Sequence, residues 1–171
     1  MKIFLRISID TAGLIQCLSV SETWKVLAEN VLMKRWKGKM FEACKSGEAK
    51  VVQLLLENYT CEENGLNIKN GEYEEWTSIM WACRNGHKDV VKLLLDNTEP
   101  RIEVNAKDND GLTAFMRACQ HGHEDVVQLL LNNSERIELN VRGNSGQTAF
   151  ISACCFGHKD LVQLLLNNSE R

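Results

Sequence analysis

Internal repetition is the feature that most limits how this chain can fold. Three segments can be laid over one another: WTSIMWACRNGHKDVVKLLLDN, LTAFMRACQHGHEDVVQLLLNN and QTAFISACCFGHKDLVQLLLNN. Their glycines, Gly86, Gly122 and Gly157, recur at intervals of 36 and 35 residues, and a more degenerate copy, MFEACKSGEAKVVQLLLEN, precedes them with Gly47. Repetition at this period is typical of solenoids, in which one unit buries its apolar face only by stacking on its neighbours.

Each copy predicts a pair of helices. A threonine precedes the first helix, where its hydroxyl can accept the free amide protons of the first turn, and a glycine that tolerates left-handed backbone ends it. The capping residues are Thr77, Thr113 and Thr148. A second helix follows, as in KDVVKLLLDN, where Val91, Leu94 and Leu95 share one face. Polar segments such as NAKDNDG separate the copies and have the composition of turns.

These units resemble ankyrin repeats, whose signature is T-P-L-H-x-A followed by G-H and a second helix ending in LLL. The resemblance covers residues 38–171 and implies an all-α solenoid of helix–turn–helix units with projecting hairpin fingers. It places four repeats at approximately 39–60, 75–98, 111–133 and 146–168. It also implies a protein that binds other proteins and is not an enzyme.

The copies depart from that signature at two positions. Its proline is replaced by Ser78, Ala114 and Ala149, which loses a preorganised first helical turn. Its histidine is replaced by Met80, Met116 and Ile151, which exchanges a hydrogen-bonding group for an apolar one. The segments between copies are also longer than usual, so we expect enlarged fingers.

Residues 1–37 do not follow the repeat and have the apolar spacing of short packed helices. They resemble the C-terminal half of an F-box at Leu14, Cys17, Val20, Trp24, Leu27 and Ala28. This resemblance implies docking on the Skp adaptor of a cullin ubiquitin ligase, with the repeats selecting the target. The family's opening L-P-x-E-I-L-x-x-I-F helix is absent, and MKIFLRISI stands in its place. The alternative is a helical cap that covers the first repeat, and the two roles are compatible.

Composition and charge exclude further classes of partner and indicate where the protein is located. The formal net charge of −3 gives no field that would attract nucleic acid, although the basic run MKRWKGK surrounds Trp36. No run of about 18 apolar residues is present, so we expect no membrane partner, and the N-terminus lacks a signal-peptide core. We predict a cytoplasmic location, with the nucleus as the alternative. The seven cysteines follow the repeat rather than a disulfide framework, so free thiols are expected.

The recurring Cys–His pairs are the candidates for a metal site. Cys83, Cys119 and Cys154 each lie four residues before a histidine, but successive pairs are one repeat apart, which opposes tetrahedral closure. We therefore predict no metal and no cofactor: the cysteine fills a small core position and the histidine hydrogen-bonds between loops. A reactive thiol at Cys154 or Cys155, beside Lys159, is the alternative. No catalytic motif is found, so no catalytic residue is expected.

Ankyrin arrays usually bind partners through a concave face built from finger tips and first helices. Carried over repeat by repeat, this predicts exposed partner-binding positions before the threonine, inside the first helix and before the G-H. They are Trp76, Leu112, Gln147, Trp81, Arg117, Ser152, Arg84, Asn85, Gln120, His121, Cys155 and Phe156. Tryptophan, arginine and phenylalanine are typical of binding hot spots, and we expect Trp81→Ala to weaken partner binding with helical content unchanged. The alternative is that Trp76 and Trp81 cover the degenerate first repeat.

Two further expectations concern the fingers and the end of the array. Asn105 and Asn140 resemble the finger asparagines that an asparaginyl hydroxylase modifies in this family, with a turn-stabilising role as the alternative. No polar terminal helix follows LVQLLLNNSER, so we expect an open apolar face there, as in a fragment or a chain completed by self-association.

Overall fold

The computed structural model describes residues 39–58, 75–96 and 102–168. These ranges form four helix pairs and contain no strand, so the predicted all-α solenoid is confirmed. The helices are α1 (Met40–Ser46), α2 (Ala49–Asn58), α3 (Ser78–Arg84), α4 (Lys88–Asp96), α5 (Ala114–His121), α6 (Glu124–Leu131), α7 (Ala149–Cys155) and α8 (Lys159–Asn167). The F-box-like positions of residues 1–37 lie outside the described residues.

Local chemistry sets both ends of the first helices. The hydroxyls of Thr113 and Thr148 accept the amides of Met116 and Ile151 at 3.4 and 3.3 Å, which confirms these two predicted caps. The hydroxyl cap predicted at Thr77 is wrong, because this buried hydroxyl has no hydrogen-bond partner among the described residues. In α3 the amide of Thr77 instead donates to Met80 Sδ at 3.4 Å. Met80 therefore supplies a weak acceptor at this point while its side chain lies in the hydrophobic core.

Glycine ends the first helix because the chain must reverse at once into the second. Gly47 and Gly122 have φ angles of 77° and 73°, in the left-handed region that a Cβ atom strains. Their amides donate to the carbonyls of Ala43 and Ala118, which closes the helix end. The two helices of each pair can then lie side by side with one short turn between them.

The helices form two layers. The first helices pack in the order α1, α3, α5, α7, and the second helices in the order α2, α4, α6, α8. The core lies between the layers, where Ala82, Ala118 and Ala153 are fully buried and permit close approach. In α4 and α6 four apolar residues each are buried, whereas in α8 only Leu161 is.

The described fingers, residues 102–112 and 137–147, are closed by tight turns. Asp108 Oδ1 accepts the amides of Asp110 and Leu112 at 3.0 and 2.9 Å, which fixes the tip of the first of these fingers. The next finger packs on it: the amide of Asn144 donates to the Asp110 carbonyl at 2.9 Å. Asn105 bridges them lower down, donating to the Arg136 carbonyl at 3.0 Å. Asn105 Oδ1 also accepts the amide of Glu138 at 2.9 Å, so this side chain joins two successive repeats.

Candidate partner-binding surface

A histidine from each following repeat holds the loop that ends the preceding first helix. The Nε2 atoms of His87, His123 and His158 lie 3.0, 2.7 and 3.0 Å from the carbonyl oxygens of Lys45, Arg84 and Gln120. Each ring also covers the glycine of that loop, so closely that an added Cβ would meet the ring at 2.5–2.6 Å. The predicted hydrogen bonding between loops is confirmed.

The cysteines of the described residues divide into buried and exposed members. Burial raises the pKa of the thiols of Cys44, Cys83 and Cys119 well above its usual range, so these groups stay protonated in the core. Cys154 and Cys155 are exposed. The prediction of a core position is therefore wrong for Cys154, because in the described residues no repeat packs on that side of α7. The described residues contain no group of three or more potential metal ligands.

The structure corrects the predicted exposure of the binding positions. Five of them are buried: Trp76, Leu112, Trp81, Arg117 and Ser152. Four are half-buried: Arg84, Asn85, Gln120 and Gln147. Three are exposed: His121, Cys155 and Phe156. Positions inside the first helix are covered because fingers and neighbouring first helices close over them, whereas the ends of these helices stay accessible.

Two tryptophans of the second repeat pack together, and one of them, Trp81, lies at the junction with the first repeat. The rings of Trp76 and Trp81 are 4.7 Å apart between centroids and 4% and 5% exposed. Phe41 of α1 meets Trp81 edge-on at 5.6 Å, and Lys45 Nζ lies 4.4 Å from the Trp81 ring. Trp81 therefore covers the first repeat, as the alternative interpretation held for one of the two tryptophans, whereas Trp76 lies between Trp81 and the Arg117 guanidinium of the third repeat. Trp81→Ala would open a cavity at this junction, so it tests stability before it tests binding.

Arg117 is a buried charge that connects a finger to the first-helix layer. Its Nε and Nη2 donate to Asp108 Oδ2 at 2.8 and 2.6 Å, and Nη2 also donates to Asp110 Oδ2 at 2.9 Å. Its Cζ lies 4.4 Å from the centre of the Trp76 ring. A guanidinium paired with a buried carboxylate and covered by an aromatic ring is a structural element, because both charges would be costly to bury unpaired.

Asp108 and Lys45 shape this region and were missed by sequence reasoning. A signal for Asp108 was present: in the next copy Asp108 becomes Gly143 while Arg117 becomes Ser152, so acid and base are lost together. Lys45 gave no such signal, since only the fold brings α1 next to Trp81.

His121 lies at the exposed end of α5 beside other cationic groups. Partial burial, then the nearby positive charge of Arg84, His123, Arg117 and His158, lowers the pKa of His121. The ring is therefore neutral near pH 7 and offers one donor and one acceptor without adding positive charge.

Six residues at the ends of α3, α5 and α7 form a surface that we name the first-helix ridge: Arg84, Asn85, Gln120, His121, Cys155 and Phe156. They occupy equivalent positions, the two residues before each loop glycine. Phe156 is the most exposed of the large apolar residues in the described part of the chain, at 58%.

The stacked helix pairs, loop-binding histidines and projecting fingers define a helical repeat solenoid. A family model, Ankyrin repeats (3 copies), matches residues 38–108 and 100–171. The chain therefore belongs to the ankyrin-repeat family, whose members are generally protein–protein interaction modules and typically non-catalytic scaffolds. A sequence comparison with curated proteins found no match. The longest described helix has ten residues, and none of the described helices is long and apolar enough to cross a membrane.

Proposed function

We propose that this protein is a non-catalytic scaffold that holds a partner protein on the first-helix ridge. One observation carries the proposal. The ridge positions change in every repeat, from Arg84 and Asn85 to Gln120 and His121 and then to Cys155 and Phe156. The residues that support them are repeated: the helix-ending glycine and the histidine that follows it. Variable side chains on a constant support are what a recognition surface requires.

The ridge is also preorganised. Its backbone is held from the next repeat, because the carbonyls of Arg84 and Gln120 bond to the rings of His123 and His158. The guanidinium carbon of Arg84 lies 5.3 and 5.5 Å from the Trp76 and Trp81 rings, which restricts that side chain. Binding through groups that are already positioned loses less conformational entropy.

The chemistry of the ridge changes along the array. Arg84 supplies a cation supported by two aromatic rings, His121 a neutral polar ring and Phe156 an exposed apolar ring. We infer that the partner presents an anionic or acceptor group opposite α3 and an apolar side chain opposite α7. Arginine and aromatic residues of this kind are typical of hot spots.

The test compares two triple variants of the full chain in pull-downs from its native cells. The ridge variant carries Arg84→Ala, His121→Ala and Phe156→Ala. The control carries Lys88→Ala, Glu124→Ala and Lys159→Ala, three exposed and equivalent positions on the second helices. We expect the ridge variant to lose a partner that the wild-type chain and the control retain, with binding reduced by about tenfold or more. Circular dichroism checks that both variants keep their helical content.

Equal binding by the ridge variant and the wild-type chain would contradict the proposal. Loss of the partner only in the control would show that the partner binds the second helices and not the ridge.

We propose a second role, as substrate receptor of a cullin ubiquitin ligase, on the resemblance of residues 1–37 to an F-box at Leu14, Cys17, Val20, Trp24, Leu27 and Ala28. They lie outside the described residues. The test is co-elution of the purified chain with the Skp adaptor, and its loss on Trp24→Ala. No co-elution, with the repeats folded, would remove this role and leave the scaffold proposal standing.

A further inference from the structure

Cations and tryptophan rings alternate across the first three repeats. Lys45 Nζ of α1 lies 4.4 Å from the centre of the Trp81 ring. The guanidinium carbon of Arg84 lies 5.5 Å from the same ring and 5.3 Å from the Trp76 ring, and that of Arg117 lies 4.4 Å from the Trp76 ring. We name these five residues the cation–aromatic row. Because the indole rings carry no net charge, the row concentrates positive charge beside the first-helix ridge.

The positive charges of the row are not equally compensated. Arg117 pairs with Asp108 and Asp110 at 2.6 and 2.9 Å, whereas no carboxylate of the described residues pairs with Arg84. The Arg84 guanidinium has five N–H donors, and it lies against the two aromatic rings. The buried Nε1 of Trp76 has no hydrogen-bond partner in the described part of the chain. The row therefore has N–H donors to spare around Arg84, which suits a ligand with anionic oxygens.

His121 extends this site to the exposed end of α5. Its ring lies 6.4 Å from the His123 ring between centroids, and His123 Nε2 lies 2.7 Å from the carbonyl oxygen of Arg84. Arg84 is half-buried and His121 is exposed. These two residues of the ridge are therefore neighbours that a ligand can reach from solvent.

The surroundings of His121 are electropositive. Partial burial, and then four basic groups on α3, on α5 itself and at the starts of α6 and α8, lower the pKa of its imidazole; these groups are Arg84, His123, Arg117 and His158. The acidic residues at the start of α6, Glu124 and Asp125, are exposed and do not offset them. The sequence of α7 contains no charged residue. A carboxylate bound beside His121 would reverse this balance, because it stabilises the protonated imidazole.

We propose that Arg84 and His121 hold carboxylates of an acidic segment of the partner protein, and that His121 takes up a proton as this segment binds. The inference rests on the proposed function and deepens it by naming the charge of the partner and the effect of pH. The ring is neutral in the free protein near pH 7 and charged in the complex, so affinity rises as pH falls. Uptake of one proton limits this rise to about tenfold per pH unit. A nucleic acid fits less well than an acidic protein segment, because the chain as a whole carries a net charge of −3.

The probe for the experiment is the peptide hexaglutamate, with hexalysine as the control peptide. NMR titrations of the full chain at pH 7.5 and pH 6.0 give the Kd, and the ring protons of the four histidines give the pKa of His121 with and without peptide. We expect hexaglutamate to bind, its Kd to fall by about threefold or more at the lower pH, and the pKa of His121 to rise in the complex. Hexalysine is expected not to bind. Absence of hexaglutamate binding at millimolar concentration, or a Kd that does not change with pH, would overturn the proposal.

Substitutions locate the site, and circular dichroism checks that each variant keeps its helical content. Arg84→Gln is expected to weaken hexaglutamate binding by about tenfold, and Arg84→Lys, which keeps a charge, by less. His121→Asn is expected to remove most of the pH dependence, because the other histidines are engaged on loop carbonyls. Lys88→Gln, at an exposed cation on α4, is the control and should bind like the wild-type chain. Undiminished binding by Arg84→Gln, or a pH dependence that persists in His121→Asn, would contradict the proposed site.

The partner itself separates failure of this inference from failure of the proposed function. A partner that the ridge variant loses, but that Arg84→Gln binds as well as the wild-type chain at both pH values, would leave the scaffold proposal standing and overturn this one. A partner that the ridge variant retains in full would contradict the scaffold proposal first, and this inference with it. Displacement of hexaglutamate by a lower concentration of single-stranded oligothymidylate would show that the site takes nucleic acid, which would also overturn the inference.

Discussion

The third and fourth repeats share most of their sequence and differ in their surroundings. The threonine caps, the central alanines and the turn glycines are the same, and Thr113 and Thr148 make the same cap contact. The third repeat has a helix pair on each side, whereas the described part of the chain places a pair on only one side of the fourth. Phe115 is consequently core and Phe150 is surface. In a solenoid, burial is a property of the stack and not of the unit.

Alanine substitutions at the two equivalent phenylalanines measure this difference in burial most directly. We expect Phe115→Ala to lower the free energy of unfolding by about 3–5 kcal/mol, because a buried ring leaves a cavity, and Phe150→Ala by less than about 1.5 kcal/mol. Urea unfolding followed by circular dichroism measures both. Equal losses would show that Phe150 is covered in solution and would break the comparison.

The second comparison is between Arg117, a buried charge, and Ser152, the small residue at the equivalent position of the fourth repeat. Arg117→Ala leaves the carboxylate of Asp108 buried without its guanidinium, and we expect a loss of about 3 kcal/mol. Ser152→Ala, at the same position of the fourth repeat, is expected to change stability by less than about 0.5 kcal/mol. The double variant Arg117→Ala with Asp108→Asn should recover part of the loss. A neutral effect of Arg117→Ala in thermal unfolding would contradict the role given to this ion pair.

Alanine substitutions at two glycines distinguish the effect of the histidine contact on stability from the effect of backbone strain. Gly122→Ala and Gly157→Ala are both strained, with φ angles of 73° and 75°. Only at Gly122 would the added methyl also meet a ring, that of His158 at 2.5 Å. We expect Gly122→Ala to destabilise the chain by at least about 1 kcal/mol more than Gly157→Ala. Adding His158→Ala should remove that excess, and an excess that persists would place its cause elsewhere.

The smallest effect concerns pH. The pKa of His121 is lowered in the folded state, so the unfolded chain binds the proton more readily, and stability falls as pH drops through the pKa of the unfolded imidazole, about 6.5. We expect His121→Phe, which copies Phe156, to reduce the loss of stability between pH 7 and pH 5 slightly. Because His121 is exposed, solvent screening keeps the difference small. A steeper pH dependence in the variant would contradict the sign.

The helix pairs, their caps and their stacking followed from residues that recur, because a glycine at a helix end or an i, i+3, i+4 apolar face has the same local consequence in every copy. The candidate site was predicted less well. Trp81 and Arg117 stand where an exposed recognition residue was expected, yet Phe41 and Lys45 cover one and Asp108 pairs with the other. Those neighbours come from other repeats or from a finger, and repeat spacing alone does not place them.

By itself, the sequence determined the all-α repeat and the hydrogen bonding of the histidines to neighbouring loops. Each depends on the period of the repeat and on the local conformational needs of glycine and threonine. Only the tertiary structure decided which variable positions reach the surface, that Cys119 is core while Cys154 is exposed, and that Trp81 covers the first repeat. The physical reason is that exposure depends on what packs against a residue, and in this array identical units meet different neighbours.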